Sequence, residues 1–261
     1  MHPSVRFGCV SLVGRNKTGK LPRDENGYYE IVVGGLNVFN SANQYYPYEP
    51  VRNLFESSSS LMRRVQRGVL RAEYGHPKRN GLSDSAFISR VMNIHEEMVC
   101  GHHKELWLNF DYKDDKGQPV IAIMSKFLPG GPYGSVLEKQ FENKDENVCF
   151  SIRSFSEDTP GRGGVIQRNI RQIVTFDYVN EPGIVHAEKY RSPALEGLYE
   201  DEVSLYRDDF IDAMKQAQTE PAAMESVTLS LEELFQVMNW RTDSATMSSF
   251  KKHMPPAWTR L

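Results

Sequence analysis

NVCFSIRSFSE (residues 147–157) and IRQIVTFDYV (residues 170–179) flank a turn-rich segment, TPGRGG (residues 159–164). Both runs are rich in β-branched and aromatic residues, and the intervening glycines and proline break any helix, so the pair reads as two strands joined by a loop. Side chains alternate faces along a strand. Val148, Phe150 and Ile152 therefore point to one side and Cys149, Ser151 and Arg153 to the other. One reading is a half-buried strand with a polar outer face. The other is a serine presented beside a cation, with Arg153 helping to hold a developing oxyanion directly or through water.

Working outward, most of the remaining sequence also reads as β structure. VRFGCVSLV (residues 5–13) and YYEIVVGGLNVF (residues 28–39) are expected strands around the polar loop NKTGKLPRDENG (residues 16–27). GVLRAEYGHP (residues 68–77) reads as a short strand running into a Gly-His-Pro turn. FISRVMNIH (residues 87–95), ELWLNFDYK (residues 105–113) and PVIAIMSKF (residues 119–127) are expected strands, the last two joined through DDKG (residues 114–117) as a hairpin. Pro50 is placed to open a helix, the serine run at residues 57–60 weakening it without ending it, and residues 134–143 read as a second, short helix.

The texture changes near residue 190. Val203, Tyr206, Phe210 and Met214 fall near helical spacing, and SLEELFQVM (residues 230–238) suggests a further helix. The expected organisation is a β-rich domain over residues 1–189 and a loosely attached helical tail over residues 190–261, with no internal repeat.

Composition narrows the function classes. Hydrophobic residues make up 39% and charged residues 25% of 261 positions, as in ordinary globular proteins. The 31 basic residues are outweighed by 34 acidic ones, so a basic field for nucleic acid is not indicated. The longest apolar run, Val120 to Met124, is far short of a membrane span. Three widely spaced cysteines, Cys9, Cys100 and Cys149, argue against a disulfide framework.

Three further residues merit chemical weight. His76 lies between Gly75 and Pro77 after a strand; the proline restricts it to extended backbone, which suits a fixed general base or an ordinary turn histidine. Asp177 is an acid within an apolar β stretch, where an unpaired carboxylate is costly, so it orients a histidine or joins a structural ion pair. Cys149 shares the face of Ser151 and is a rival nucleophile. His95, Cys100, His102 and His103 cluster in sequence, but their spacing matches no standard zinc pattern, and adjacent histidines on an extended segment face opposite ways.

Taken in chain order, four motifs resemble the prohead maturation protease family of tailed phages, in its T4-like branch, which is related in fold to the herpesvirus assembly proteases. Asn40 and Tyr46-Pro47 precede the first expected helix; Glu73-Tyr74-Gly75-His76-Pro77 is similar to the family's acidic-x-His-Pro turn; Phe150-Ser151-Ile152-Arg153-Ser154 is similar to its nucleophile strand; and Asp177-Tyr178-Val179 with Pro182 is similar to its Asp-x-Val followed by proline. Ile152 and Ser154 depart from the family's serine and glycine, which bears on the oxyanion hole.

The resemblance implies an α+β fold, a distorted and mostly antiparallel barrel with helices outside. It implies a serine endopeptidase without metal or organic cofactor, in which Ser151 attacks, His76 accepts the proton, Asp177 orients the imidazole and Arg153 stabilises the intermediate. A second histidine completes the triad in the herpesvirus relatives, which leaves His95 and His186 as alternatives to Asp177. Those relatives act as dimers, so a homodimer is open to this chain. The implied substrates are scaffold, internal and major capsid proteins inside the immature capsid, and the protease itself, cut after small-or-aliphatic-x-Glu. Self-cleavage is then expected after Glu196, Glu200, Glu225 and Glu232, with the tail a propeptide or scaffold-docking element. A non-catalytic capsid or scaffold protein of the same fold, and a β-rich hydrolase using Cys149, are the alternatives.

Overall fold

The computed structural model describes residues 5–11, 23–40, 43–113, 117–143, 145–146, 148–179 and 203–219, together with residues 235, 236, 238 and 240. The strands are β1 (Val5–Ser11), β2 (Tyr29–Leu36), β3 (Val38–Phe39), β4 (Gln44–Tyr46), β5 (Arg71–Glu73), β6 (Val99–Asn109), β7 (Ile121–Pro129), β8 (Cys149–Pro160), β9 (Ile166–Val179) and β10 (Val203–Leu205). The α-helices are α1 (Ser60–Gln66), α2 (Asp84–Met92), α3 (Gly134–Glu142) and α4 (Arg207–Thr219).

The strands form a six-stranded sheet, β10-β1-β8-β9-β4-β3, and a four-stranded sheet, β2-β7-β6-β5. All pairings are antiparallel except β4 with β9. A parallel bridge between Tyr74 and Tyr178 ties the end of β5 to β9 and so links the two sheets. The result is a curled half-barrel with helices outside, the expected α+β class. Its core lies between the sheets: Ile31, Val33, Ile123 and Phe127 from one meet Phe150, Ile152, Phe176 and Tyr178 from the other.

The long β8–β9 ladder stands as read, and its register puts Ser151 opposite Asp177. Its second face is not solvated: Ser151, Arg153, Thr175 and Asp177 are all buried. Opposite Arg153 and Ser154 the register jumps from Thr175 to Ile173, so Val174 is an extra residue in a β-bulge. Such a bulge loosens the ladder, and the Arg64 guanidinium on α1 donates to the Ile173 and Val174 carbonyls.

Residues 87–95 are a correction. They are not a strand; Phe87, Ile88, Val91 and Met92 lie on the buried face of α2, which Ser83 caps by accepting from the Ala86 N–H. Spacing of three to four residues, rather than alternation, is the operative pattern here. The serine run is a second correction: Pro50 opens a 3₁₀ segment, Glu49–Phe55, and Ser59 caps a separate helix, α1.

The expected loose tail is also different where it is described. β10 adds to the six-stranded sheet beside β1, and α4 starts only at Arg207, after the strand that contains Val203. Phe210, Ala213 and Met214 of α4 share a core with Phe87, Ile88, Val91 and Met92 of α2 and with Phe155 and Val174 of the sheet. Residues 203–219 are therefore packed onto the rest of the chain.

Candidate active site

β8 and β9 present Ser151 and Asp177 as direct cross-strand partners, so their side chains share one face of the sheet. His76 arrives from the other sheet. β5 ends at Glu73, Tyr74 bridges to Tyr178, and the Gly75 N–H donates to the Tyr178 carbonyl at 2.8 Å. Gly75 has φ +94°, a conformation that an L side chain adopts only with strain, and this turn delivers His76. Stacking of the Tyr74 ring on Tyr133 and Tyr178, at 4.8 and 4.5 Å between centroids, braces the turn.

His76 Nδ1 lies 3.0 Å from Asp177 Oδ2. An ionised carboxylate only accepts, so Nδ1 carries a proton, and in the neutral ring that leaves the lone pair on Nε2. Nε2 is buried and makes no hydrogen bond to any described residue. Catalytic hydrogen bonds to a nucleophile are often long until substrate closes the site, so the open Nε2 is compatible with a base. Ser151 is 2% exposed and Asp177 fully buried, while the His76 side chain keeps 18% exposure.

Asp177 has all its acceptor positions engaged. Oδ2 also receives Arg153 Nε at 2.7 Å, and Oδ1 receives Arg153 Nη2 at 2.9 Å and the Glu73 N–H at 3.0 Å. Burial pushes its carboxyl up, but the Arg153 charge and the His76 hydrogen bond outweigh this and bring it down to about 2.

Arg153 is held by buried partners. Besides its two bonds to Asp177, its Nη1 donates to the Val91 and Asn93 carbonyls at 3.3 and 3.2 Å, and its Nη2 lies 3.1 Å from Glu73 Oε2. Every nitrogen of the guanidinium is thus engaged. The carbonyls at a helix C-terminus lack intrahelical partners and carry negative partial charge, so the end of α2 suits a buried arginine. The helix, where a strand was expected at residues 87–95, is what brings these carbonyls to Arg153.

The other candidates disperse. His95 Nδ1 pairs with Glu97 at 3.1 Å, on an exposed side chain. His103 is buried between the sheets, with Nδ1 2.9 Å from Ser125 Oγ and Nε2 donating to the Phe176 carbonyl at 3.0 Å. Cys100 is buried, and burial pushes its thiol far up. Cys149 is 2% exposed. His186, Glu196, Glu200, Glu225 and Glu232 lie outside the described residues. Residue chemistry alone missed Arg90 and Glu73, which complete the charged cluster around Arg153; the cue was available, since a buried arginine beside one acid calls for more partners.

A family-wide sequence profile described as the Peptidase S80 family matches residues 7–237. The capsid maturation protease of Pseudomonas phage phiKZ is 34% identical over 261 residues, covering 98% of this chain and 94% of that protein. The solved structure of the bacteriophage T4 capsid assembly protease is similar at a TM-score of 0.48 and 13% identity, over 68% of this chain and 99% of that one.

Proposed function

Because the chain belongs to the Peptidase S80 family, we propose that this peptidase is a serine endopeptidase of phage capsid maturation, with Ser151 as nucleophile, His76 as general base and Asp177 as the acid that orients it. The observation that carries the reading is the His76–Asp177 contact made directly across the ladder from Ser151, with Nε2 unoccupied by any described group.

Ser151 Oγ bonds to the scissile carbonyl carbon as its proton passes to His76 Nε2 and the carbonyl π pair moves onto oxygen, giving a tetrahedral oxyanion. The carbonyl then re-forms as the carbon–nitrogen bond breaks, and the leaving amine takes that proton. Water attacks the acyl ester, giving its own proton to Nε2, and the serine oxygen leaves and is reprotonated. Asp177 holds Nδ1–H throughout and stabilises each imidazolium; it keeps its own charge because its acidity is raised so far. Arg153 is a positioning residue for Asp177, in place of the oxyanion role that its sequence neighbourhood suggested.

The substrates in this reading are scaffold, internal and major capsid proteins of the prohead, whose interior is the site of action. The chain also cuts itself after Glu196, Glu200, Glu225 and Glu232. Those positions lie on either side of residues 203–219, so cleavage there leaves β10 and α4 held by noncovalent contacts to β1 and α2.

The test is intact mass against time for the full chain beside Ser151→Ala, with an alkyl fluorophosphonate as an active-site label. The expected result is trimming after glutamates and labelling at Ser151 in the unsubstituted chain, and neither in the variant. Equal trimming in both, with no label on Ser151, removes Ser151 from the role and makes Cys149→Ala the next comparison. An intact chain that also resists trimming and labelling within assembled proheads favours the non-catalytic capsid protein instead.

A further inference from the structure

Glu73 is a wholly buried acid that the mechanism above leaves without a task. Ala72 beside it is also wholly buried, but on the opposite face of β5: it joins the main hydrophobic core, while Glu73 faces the catalytic cluster. The register slips here, Ala72 pairing with Gly101 but Glu73 with Val99, so the extra residue is Cys100 on β6 and β5 keeps its alternation.

There Glu73 meets Asp177 through its main chain and Arg153 through its side chain. Its N–H donates to Asp177 Oδ1 at 3.0 Å, and its Oε2 lies 3.1 Å from Arg153 Nη2. On its outer side, Arg90 of α2 spans both carboxylate oxygens at 3.0 and 2.5 Å, and the His95 N–H donates to Oε1 at 2.7 Å. A line of alternating charge therefore runs through the buried interior, Arg90, Glu73, Arg153, Asp177, and ends on the His76 ring.

We propose that Glu73 is a positioning residue for the His76–Asp177 pair, serving as the counter-charge that keeps Arg153 from cancelling Asp177. The proposal rests on the serine-protease reading above. Arg153 grips Asp177 through two hydrogen bonds, an arrangement that on its own places a full positive charge behind the acid. The imidazolium formed at His76 then gains little from Asp177. Glu73 offsets Arg153, and Arg90 in turn moderates Glu73. Two other titratable groups near the cluster carry no charge at neutral pH: the Cys100 thiol of β6 is pushed far up by burial, and His103, also on β6, is brought down to about 4 by its burial. His95 turns away to Glu97, and Arg79 on the loop after His76 pairs with Asp84.

The experiment is the pH dependence of the second-order rate at which an alkyl fluorophosphonate inactivates the full chain. This rate reports the serine and its base without needing a known substrate. Glu73→Gln keeps the shape and the amide acceptor but removes the charge. It is expected to slow inactivation on the order of tenfold and to move the acidic limb of the profile about one pH unit lower, since the imidazolium loses a favourable neighbour. Arg90→Gln is expected to move the limb the other way, to higher pH. A purely structural loss has no reason to displace the two variants in opposite directions.

Glu73→Asp, which retains the charge, is expected to restore the position of the limb. If Glu73→Gln does not fold, Arg90→Gln decides alone: a limb at higher pH supports the proposal, and an unmoved or lower one overturns it. Superimposed profiles for all variants overturn it while leaving the serine-protease reading intact. Inactivation that persists unchanged in Ser151→Ala overturns that reading instead.

Discussion

Asp177 faces Ser151 directly across the β8–β9 ladder, yet its carboxylate bonds to His76, which the chain delivers from the other sheet. The proposed site is therefore a junction between sheets. Its geometry depends on whatever holds β5 against β9.

Removing the acid's charge separates orientation from support. Asp177→Asn is expected to lower the peptidase rate on the order of 10⁴-fold, because an amide no longer enforces the Nδ1–H tautomer. It also leaves Arg153 short of a buried counter-charge, at a cost of about 3 kcal/mol in urea unfolding. Full retention of rate would falsify the assignment of Asp177.

Arg153→Met distinguishes a support from an oxyanion donor. The guanidinium neutralises two buried carboxylates, Asp177 and Glu73, so its loss is expected to destabilise the fold by about 3–5 kcal/mol along with the activity. An oxyanion donor alone predicts a lower rate with unchanged stability, and unfolding curves beside rates decide between them.

The turn that carries His76 is testable without touching a polar group. A Cβ at Gly75 meets nothing within 4 Å, so Gly75→Ala introduces backbone strain at φ +94° and no clash. The expected stability loss is about 1–2 kcal/mol. A fall in fluorophosphonate inactivation larger than any change in thermal unfolding would be the sign that His76 has moved.

His103 predicts an acid-sensitive fold. Its pKa is brought down to about 4, first by burial, so between about 6.5 and 4 the unfolded chain takes up a proton that the folded chain refuses. Its contribution is fully present above pH 6.5 and is lost as pH falls toward 4, amounting to about 3 kcal/mol. Unfolding free energies at pH 7 and pH 4 should differ less in His103→Gln than in the unsubstituted chain by about that amount.

Phe210 tests whether the C-terminal segment supports the site. It is fully buried between α4 and α2, with its ring 5.6 Å from that of Phe155. Phe210→Ala is expected to cost about 3–5 kcal/mol, read by denaturant unfolding. Because α2 and the Asn93 that follows it each supply a carbonyl to Arg153, activity near the melting transition should fall earlier than in the unsubstituted chain.

Much of this was legible in the residues. Alternation placed Ser151 on the face opposite Phe150 and Ile152, and the turn residues separated β8 from β9. The misreadings are equally specific. FISRVMNIH has both β-prone residues and helical spacing, and only the Ser83 cap and the core offered by α4 favour the helix. With that helix unseen, the acceptors for Arg153 were unseen too. Glu73 stood in a motif without a role, because its partners Arg90, Arg153 and Asp177 come from α2, β8 and β9, which no local pattern places beside it.

The sequence by itself determined the β-rich class, the pairing of β8 with β9 and the face on which Ser151 lies, because period-two alternation and turn chemistry act over a few neighbouring residues. Only the tertiary structure decided which groups Asp177 holds. Its partners lie 24 positions away at Arg153, 101 at His76 and 104 at Glu73. No local preference specifies such contacts; they arise when two sheets bury a common core and every charge caught between them must find a partner.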